Sequence, residues 1–445
     1  MTGFAALQGI LSPRGHVGVS KLAPPRGPEF FRFETSSNLA RKEIRMKACL
    51  RSATTLLLAA ALFPALGSAQ HYIQKNLVSD LALPDNADGT PVRQDKNLLN
   101  PWGITRSATS PWWTSNNNAG TSSLYDGSGN PINIFQDPTG PNFTYDNFVF
   151  VPPPGFATPG TPATPTGIVF NGNPNAFLLN KGTPAGKPAA FIFVTEDGTI
   201  SGWNPAVNIA SGITNGRSIN AVLEVDNSDK GSANGAVYKG ATTAEWNGQT
   251  FLYVTNFRHA GVEVYDSYFN RVHLGEGTFD DDSIPRGFAP FNIQNIGGSL
   301  FVTYAKQDGQ RHDDVPGDGL GFVEIYGPDG SHQGRLEHGP WMNAPWGMVW
   351  TPRDFGRFSN SILVGNFGSG WIAAFNGFTH KFIGFMQNPD NSLVTIDGLW
   401  SLTFGNDSTA GPATTLYFSA GPNMENDGLF GTLTPVAAEE DGSVE

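Results

Sequence analysis

The chain has 445 residues, with 27 Lys and Arg against 39 Asp and Glu, a formal net charge of −12. Glycine (54) and proline (33) are abundant and charged residues make up only 15%; this excludes a disordered chain, because the apolar content can build a core, and a helical one, because Gly, Pro, Asn and Thr favour turns and strands. An acidic chain without Lys/Arg clusters in its main body is a poor binder of nucleic acid or anionic membrane.

Residues 1–45 have no hydrophobic period and read as a disordered or non-native extension. The segment 46–69 has the order of a secretory signal: a basic start (Met46–Arg51), a Leu/Ala run (Leu56–Leu66) too short for a membrane span, then Gly67-Ser68-Ala69 before Gln70. The expectation is a protein secreted or periplasmic after cleavage near Ala69-Gln70, with no membrane span left. The one cysteine, Cys49, falls inside that segment, so disulfides, thiol chemistry and Cys-ligated zinc are excluded for residues 70–445. Residues 70–434 are read as a single domain and 435–445 as an acidic tail.

That domain is repetitive. Pro101-Trp102-Gly103-Ile104, Pro165-Thr166-Gly167-Ile168, Pro290-Phe291-Asn292-Ile293 and Pro345-Trp346-Gly347-Met348 share a pattern, with weaker copies marked by Gly235 and Gly398. After each marker comes a β-rich run, such as Phe251-Leu252-Tyr253-Val254-Thr255. Then comes a run ending in an aromatic and turn residues, such as Val264-Tyr265-Asp266. A fourth strand is read at Pro131–Phe135 and Lys381–Phe385. Each unit is a four-stranded antiparallel meander with two apolar faces. Six of them arranged radially bury those faces, so the fold expected is all-β, a six-bladed β-propeller. The last unit runs out after its third strand, and Tyr72–Asp80 is expected to supply the fourth. A monomer is expected.

Strands of a meander alternate in direction, so the segment leading into each first strand and the turn between strands two and three share one rim. That rim is polar and aromatic. Asn100, Trp102, Arg258, Asn343, Trp346, Asn366, Trp400 and Asn423 are candidates for binding an unidentified ligand there. His312 and His259 are the candidate acid/base groups. Glu196, Asp197, Asp308, Asp313, Asp314, Asp318, Asp397, Glu425 and Asp427 are candidate metal ligands, and oxygen-rich loops suit Ca²⁺. Two readings stand: a binding propeller, and a Ca²⁺-assisted hydrolase of lactone or ester type.

Asn-Pro-Trp-Gly-Ile (100–104), Glu-Asp-Gly-Thr-Ile-Ser-Gly-Trp (196–203), Phe-Asn-Ile-Gln-Asn-Ile-Gly-Gly (291–298), Val-Thr-Tyr-Ala-Lys-Gln-Asp (302–308), His-Asp-Asp-Val (312–315) and Ile-Asp-Gly-Leu-Trp (396–400) resemble a family of exported bacterial NHL-like β-propellers without an established activity. The resemblance covers nearly all of 72–434 and implies the fold and export. It transfers no catalytic residue. More distantly, six-bladed propellers include calcium-dependent lactonases and gluconolactonase-like hydrolases, whose metal sits in the channel.

Overall fold

Side chains alternate between the two faces of a strand, and in Phe251-Leu252-Tyr253-Val254 both faces are apolar. Leu252 and Val254 pack toward one neighbouring sheet, Phe251 and Tyr253 toward the other. Strands of this kind must lie inside a stack of sheets. The computed structural model describes residues 71–136, 145–180, 186–207 and 218–436. These form a six-bladed β-propeller, each blade having four antiparallel main strands. The innermost strands are Pro101–Thr105, Pro165–Phe170, Tyr238–Trp246, Phe288–Ile296, Pro345–Trp350 and Leu399–Phe404. Each touches the next around the axis, and the sixth returns to the first. Six apolar clusters fill the gaps between blades, and a seventh, rich in Trp and Phe, sits on the axis.

The last blade closes as expected. Tyr72–Ser79 lies antiparallel to Leu429–Pro435, pairing Tyr72 with Pro435 and Ser79 with Leu429. The final strand thus runs one residue beyond 434. The segments read as extension (1–45), signal (46–69) and most of the acidic tail (437–445) lie outside the described residues.

Two expectations are corrected. The outer strand of blade one is Phe148–Phe150, not Pro131–Phe135. Thr121–Ser123 pairs with 148–150, and only the far end of the same strand meets Pro131 and Ile132. Proline has no N–H to extend that second ladder, whereas Val149 is wholly buried between blades one and two. The second correction is register. In blade three the inner-strand marker is Gly240, not Gly235, and in blade six it is Ser401, not Gly398.

The marker has a steric cause. A Cβ on Gly103 would stand 2.7 Å from the Thr166 carbonyl oxygen, one on Gly167 2.8 Å from the Ala241 nitrogen, and one on Gly347 2.4 Å from the Trp400 carbonyl oxygen. The inner strands approach too closely there for a side chain. Where the marker is Asn292, its amide instead donates to the Trp346 carbonyl at 2.8 Å. Gly347→Ala is expected to cost about 1–3 kcal/mol by forcing blades five and six apart. Urea denaturation checks this, and an unchanged midpoint would contradict the close approach.

Candidate functional site

With the register corrected, the residue preceding each marker forms one layer across the axis: Trp102, Thr166, Lys239, Phe291, Trp346 and Trp400. Trp102 stacks on Trp400 with ring centroids 3.6 Å apart, and Trp346 and Phe291 meet these rings edge-on or tilted. Lys239 stands among them, 1% exposed, its ammonium 4.8 Å from the Trp102 ring centroid. Trp102, Trp346 and Trp400, read as rim binders, are therefore buried and floor the rim rather than line its surface.

A buried ammonium needs compensating charge. Lys239 makes an ion pair with Glu196 and stands 3.6 Å from Asp313. Glu196 begins the turn of blade two and accepts a 2.9 Å hydrogen bond from the Asn117 amide of blade one. Asp313 and its partner His312, 2.7 Å away, come from the long loop of blade four, and Glu425 comes from blade six. Asn100 links the layers: its amide donates to Glu425 at 2.8 Å and its carbonyl oxygen accepts the Trp400 indole N–H at 3.0 Å. Charge from four blades thus converges above the aromatic layer.

The electrostatics follow the placement. Burial alone would push the Lys239 ammonium down, but Glu196, Asp313 and Asp314 outweigh it and hold the group above the ordinary lysine value. Burial pushes Asp314 up to about 7, Lys239 opposing and Glu425 adding to the rise. Its Oδ2 is buried and has no hydrogen-bond partner among the described residues. Burial also raises Glu425, against the Asn100 hydrogen bond. The hydrogen bond to Asp313 raises His312, and the same bond lowers Asp313 to about 2.

These shifts fix a pH dependence. Asp314 holds its proton in the folded chain to about pH 7, whereas an ordinary aspartate loses it near 4. Stability therefore falls as pH rises through that window. His312 acts in the same sense, its contribution complete below the ordinary histidine value and lost as pH climbs through its raised one. Asp313 acts oppositely: its contribution is present above the ordinary carboxylate range and is lost as pH falls toward 2. The melting temperature is expected to be higher at pH 5 than at pH 8, and Asp314→Asn to narrow that difference. An undiminished difference in the variant, read by calorimetry, would remove Asp314 from the account.

Several candidates lie elsewhere or serve the scaffold. Asp197 accepts both the Thr164 amide and hydroxyl at 2.8 Å, and Asp308 accepts the His312 backbone N–H at 2.8 Å. Asp397 and Asp427 brace Asn423 within the last turn. Asn343 holds the Gly317 amide and Asn366 the Asn343 amide, so both secure loops. Arg258 donates to the Gly235 carbonyl at 3.0 Å. Asp318 is exposed on the long loop. His259 contacts Asn256, which in turn donates to buried Glu263, so it belongs to a different network from His312. Sequence reasoning missed Lys239; aligning unit three on Gly240 would have shown a lysine where four other units carry Trp or Phe.

Ligand atoms of Glu196, His312 and Asp313 lie within 4.8 Å of one another, so these three could hold a metal ion. A second group, Asp281, Glu324 and His332, meets the same criterion on the outer part of blade four, where Arg335 already pairs with both carboxylates.

No family model matches the chain. Its sequence is similar to uncharacterised proteins of Acanthamoeba polyphaga mimivirus. One is 34% identical over 253 residues, 56% of this chain and 44% of that relative, so the match spans less than half of the relative's length. Another is 29% identical over 369 residues, covering 79% of this chain and 78% of the relative. These relatives are viral, whereas the resemblance implied bacterial ones. Among solved structures, the chain is similar to a streptogramin B lyase (14% identity, TM-score 0.43, 82% of this chain and 97% of that one). It is also similar to a Bacteroides thetaiotaomicron protein of unknown function (8% identity, TM-score 0.46, 82% and 76%).

Proposed function

We propose that the chain is an exported, monomeric binding propeller whose rim takes a small ligand bearing a positive charge or several hydrogen-bond donors. The observation carrying this reading is the imbalance above the aromatic layer: Glu196, Asp313, Asp314 and Glu425 face one lysine and one histidine, and one Asp314 oxygen is buried without a partner among the described residues. A donor arriving at that oxygen would relieve an unsatisfied acceptor. Calorimetry with putrescine and glucosamine, against 1,4-butanediol and N-acetylglucosamine, tests it. The amines are expected to bind the tighter by roughly tenfold or more, and equal affinity within each pair would overturn the reading. Export is tested separately by the amino-terminal sequence of the secreted protein, expected to begin at Gln70.

The grouping of Glu196, His312 and Asp313 favours a second reading, a Ca²⁺-assisted lactone or ester hydrolase. Glu196 and Asp313 would hold the metal, which would polarise a carbonyl or activate water, and His312, left off the metal, would serve as the nearby base. The Lys239 ammonium competes for the same carboxylates. This reading expects heat on calcium titration that Asp313→Asn abolishes. No heat, and a melting temperature indifferent to EDTA, would leave the metal-free reading standing.

A further inference from the structure

The aromatic layer divides the axis. On the side away from the charged rim lies a cavity of about 320 Å³, to which all six innermost strands contribute. Its chemistry is the reverse of the rim's. In a chain with 39 acidic residues, no Asp or Glu among the described residues lines this cavity, and the one charged lining residue among them is Arg106.

Arg106 follows the inner strand of blade one. Its Nε donates to the Phe404 carbonyl at 2.7 Å, its Nη2 to the Gly405 carbonyl at 2.7 Å and its Nη1 to the Ser107 carbonyl at 3.5 Å. These contacts orient the guanidinium but bring it no neutralising charge. Among the described residues no carboxylate lies within ion-pair distance; Asp407 acts on it through its field, while accepting the Ala413 amide. A guanidinium has five N–H donors, so donors remain. Gln294 is exposed at the same mouth, and its side chain makes no hydrogen bond among the described residues. At the inner end, Trp346 reaches the wall, and its buried indole N–H has no partner among the described residues. Thr105, Thr243 and Thr403 add hydroxyls to the walls.

We propose that this cavity is a second binding site, for a hydroxylated monocarboxylate whose carboxylate sits against Arg106 and whose body lies along the channel. The guanidinium matches a carboxylate in planar geometry. One guanidinium offsets one negative charge, and a multiply charged anion would meet the chain's overall negative field. Trp346 lies four residues deeper than Arg106 by strand register, about 13 Å, which is room for a sugar-sized body between carboxylate and indole. The site is independent of the rim site, from which the aromatic layer separates it.

Calorimetry on the full chain with D-glucuronate, and with D-glucose as the same body lacking the carboxylate, tests this. Glucuronate is expected to bind and glucose to bind at least about tenfold more weakly. Arg106→Gln should lower glucuronate affinity by a similar factor. Because that change also removes contacts to Phe404 and Gly405, Gln294→Glu serves as the second variant: it alters an exposed side chain, and a like charge at the mouth should weaken glucuronate with the melting temperature unchanged. Absence of glucuronate binding, equal binding of glucose, or full affinity in a folded Gln294→Glu variant would each overturn the proposal.

Discussion

Replacing Lys239 by methionine is expected to lower the unfolding free energy by about 3 kcal/mol, the range seen when one partner of a buried ion pair is removed. Methionine fills much of the same volume without the ammonium, which stands 4.8 Å from the Trp102 ring centroid, 5.7 Å from that of Phe257 and 6.0 Å from that of Phe291, so the loss reports charge, its contact with the rings included, more than packing. Glu196 would then be left nearly buried without its cation. Asp314 and Glu425, already held above the ordinary carboxylate range, would rise further, because Lys239 opposes both shifts, at Glu425 together with the Asn100 hydrogen bond. The deficit should therefore be larger at pH 8 than at pH 5, where protonation removes part of the repulsion. Adding Glu196→Gln should restore part of the loss, since the double variant no longer buries an unpaired charge. Urea denaturation at the two pH values measures all of this. A loss under about 1 kcal/mol at pH 8, the size of an exposed pair, would show that the ammonium is not confined among these carboxylates.

Lys239 also marks where the sequence stopped being legible. The six-fold repeat, the strand-to-turn rhythm and the borrowed strand at Tyr72–Ser79 could be read because each depends on local pattern: period two, a turn at Asp-Gly or Asn-Gly, a steric glycine. The placement of the turns on one rim followed from topology alone. The charged centre depends on contacts between residues such as Asn100 and Glu425, or Glu196 and Lys239, which no local pattern links. The dense acidic run 308–318 drew attention as a unit, yet it divides: His312, Asp313 and Asp314 face the axis cluster, Asp308 braces its own loop and Asp318 is exposed. Asp197, next to Glu196, serves the Thr164 backbone instead. Short polar side chains in turns satisfy nearby backbone groups by default, and composition does not separate those from the few that reach the axis. The register of unit three was obscured because Asn234-Gly235 resembles a marker, while its true marker follows a lysine rather than an aromatic.

Truncating the chain to begin at Leu81 is expected to open the closed fold. Tyr72–Ser79 supplies the outer strand of blade six and touches more than that blade. Tyr72 is fully buried, donates its hydroxyl to the Phe355 carbonyl at 3.0 Å and stacks on Phe358, both in blade five's connections. Val78 packs in the apolar cluster between blades six and one, and Ser79 donates to the Gly428 carbonyl at 2.8 Å. One strand therefore ties three consecutive blades. Its loss bares the backbone of Leu429–Pro435 as an open edge, which invites pairing between chains. Light scattering should show the truncated chain associating beyond the state of the full chain. Tyr72→Ala isolates the side chain's share, with an expected cost of about 3–5 kcal/mol for a buried aromatic cut to alanine. A synthetic peptide spanning residues 71–80 should reverse the association of the truncated chain, because strand addition uses the same backbone ladder. A truncated chain that melts like the intact one would mean that the ring is held by its inner strands alone, since those already close on themselves through the contact of Leu399–Phe404 with Pro101–Thr105.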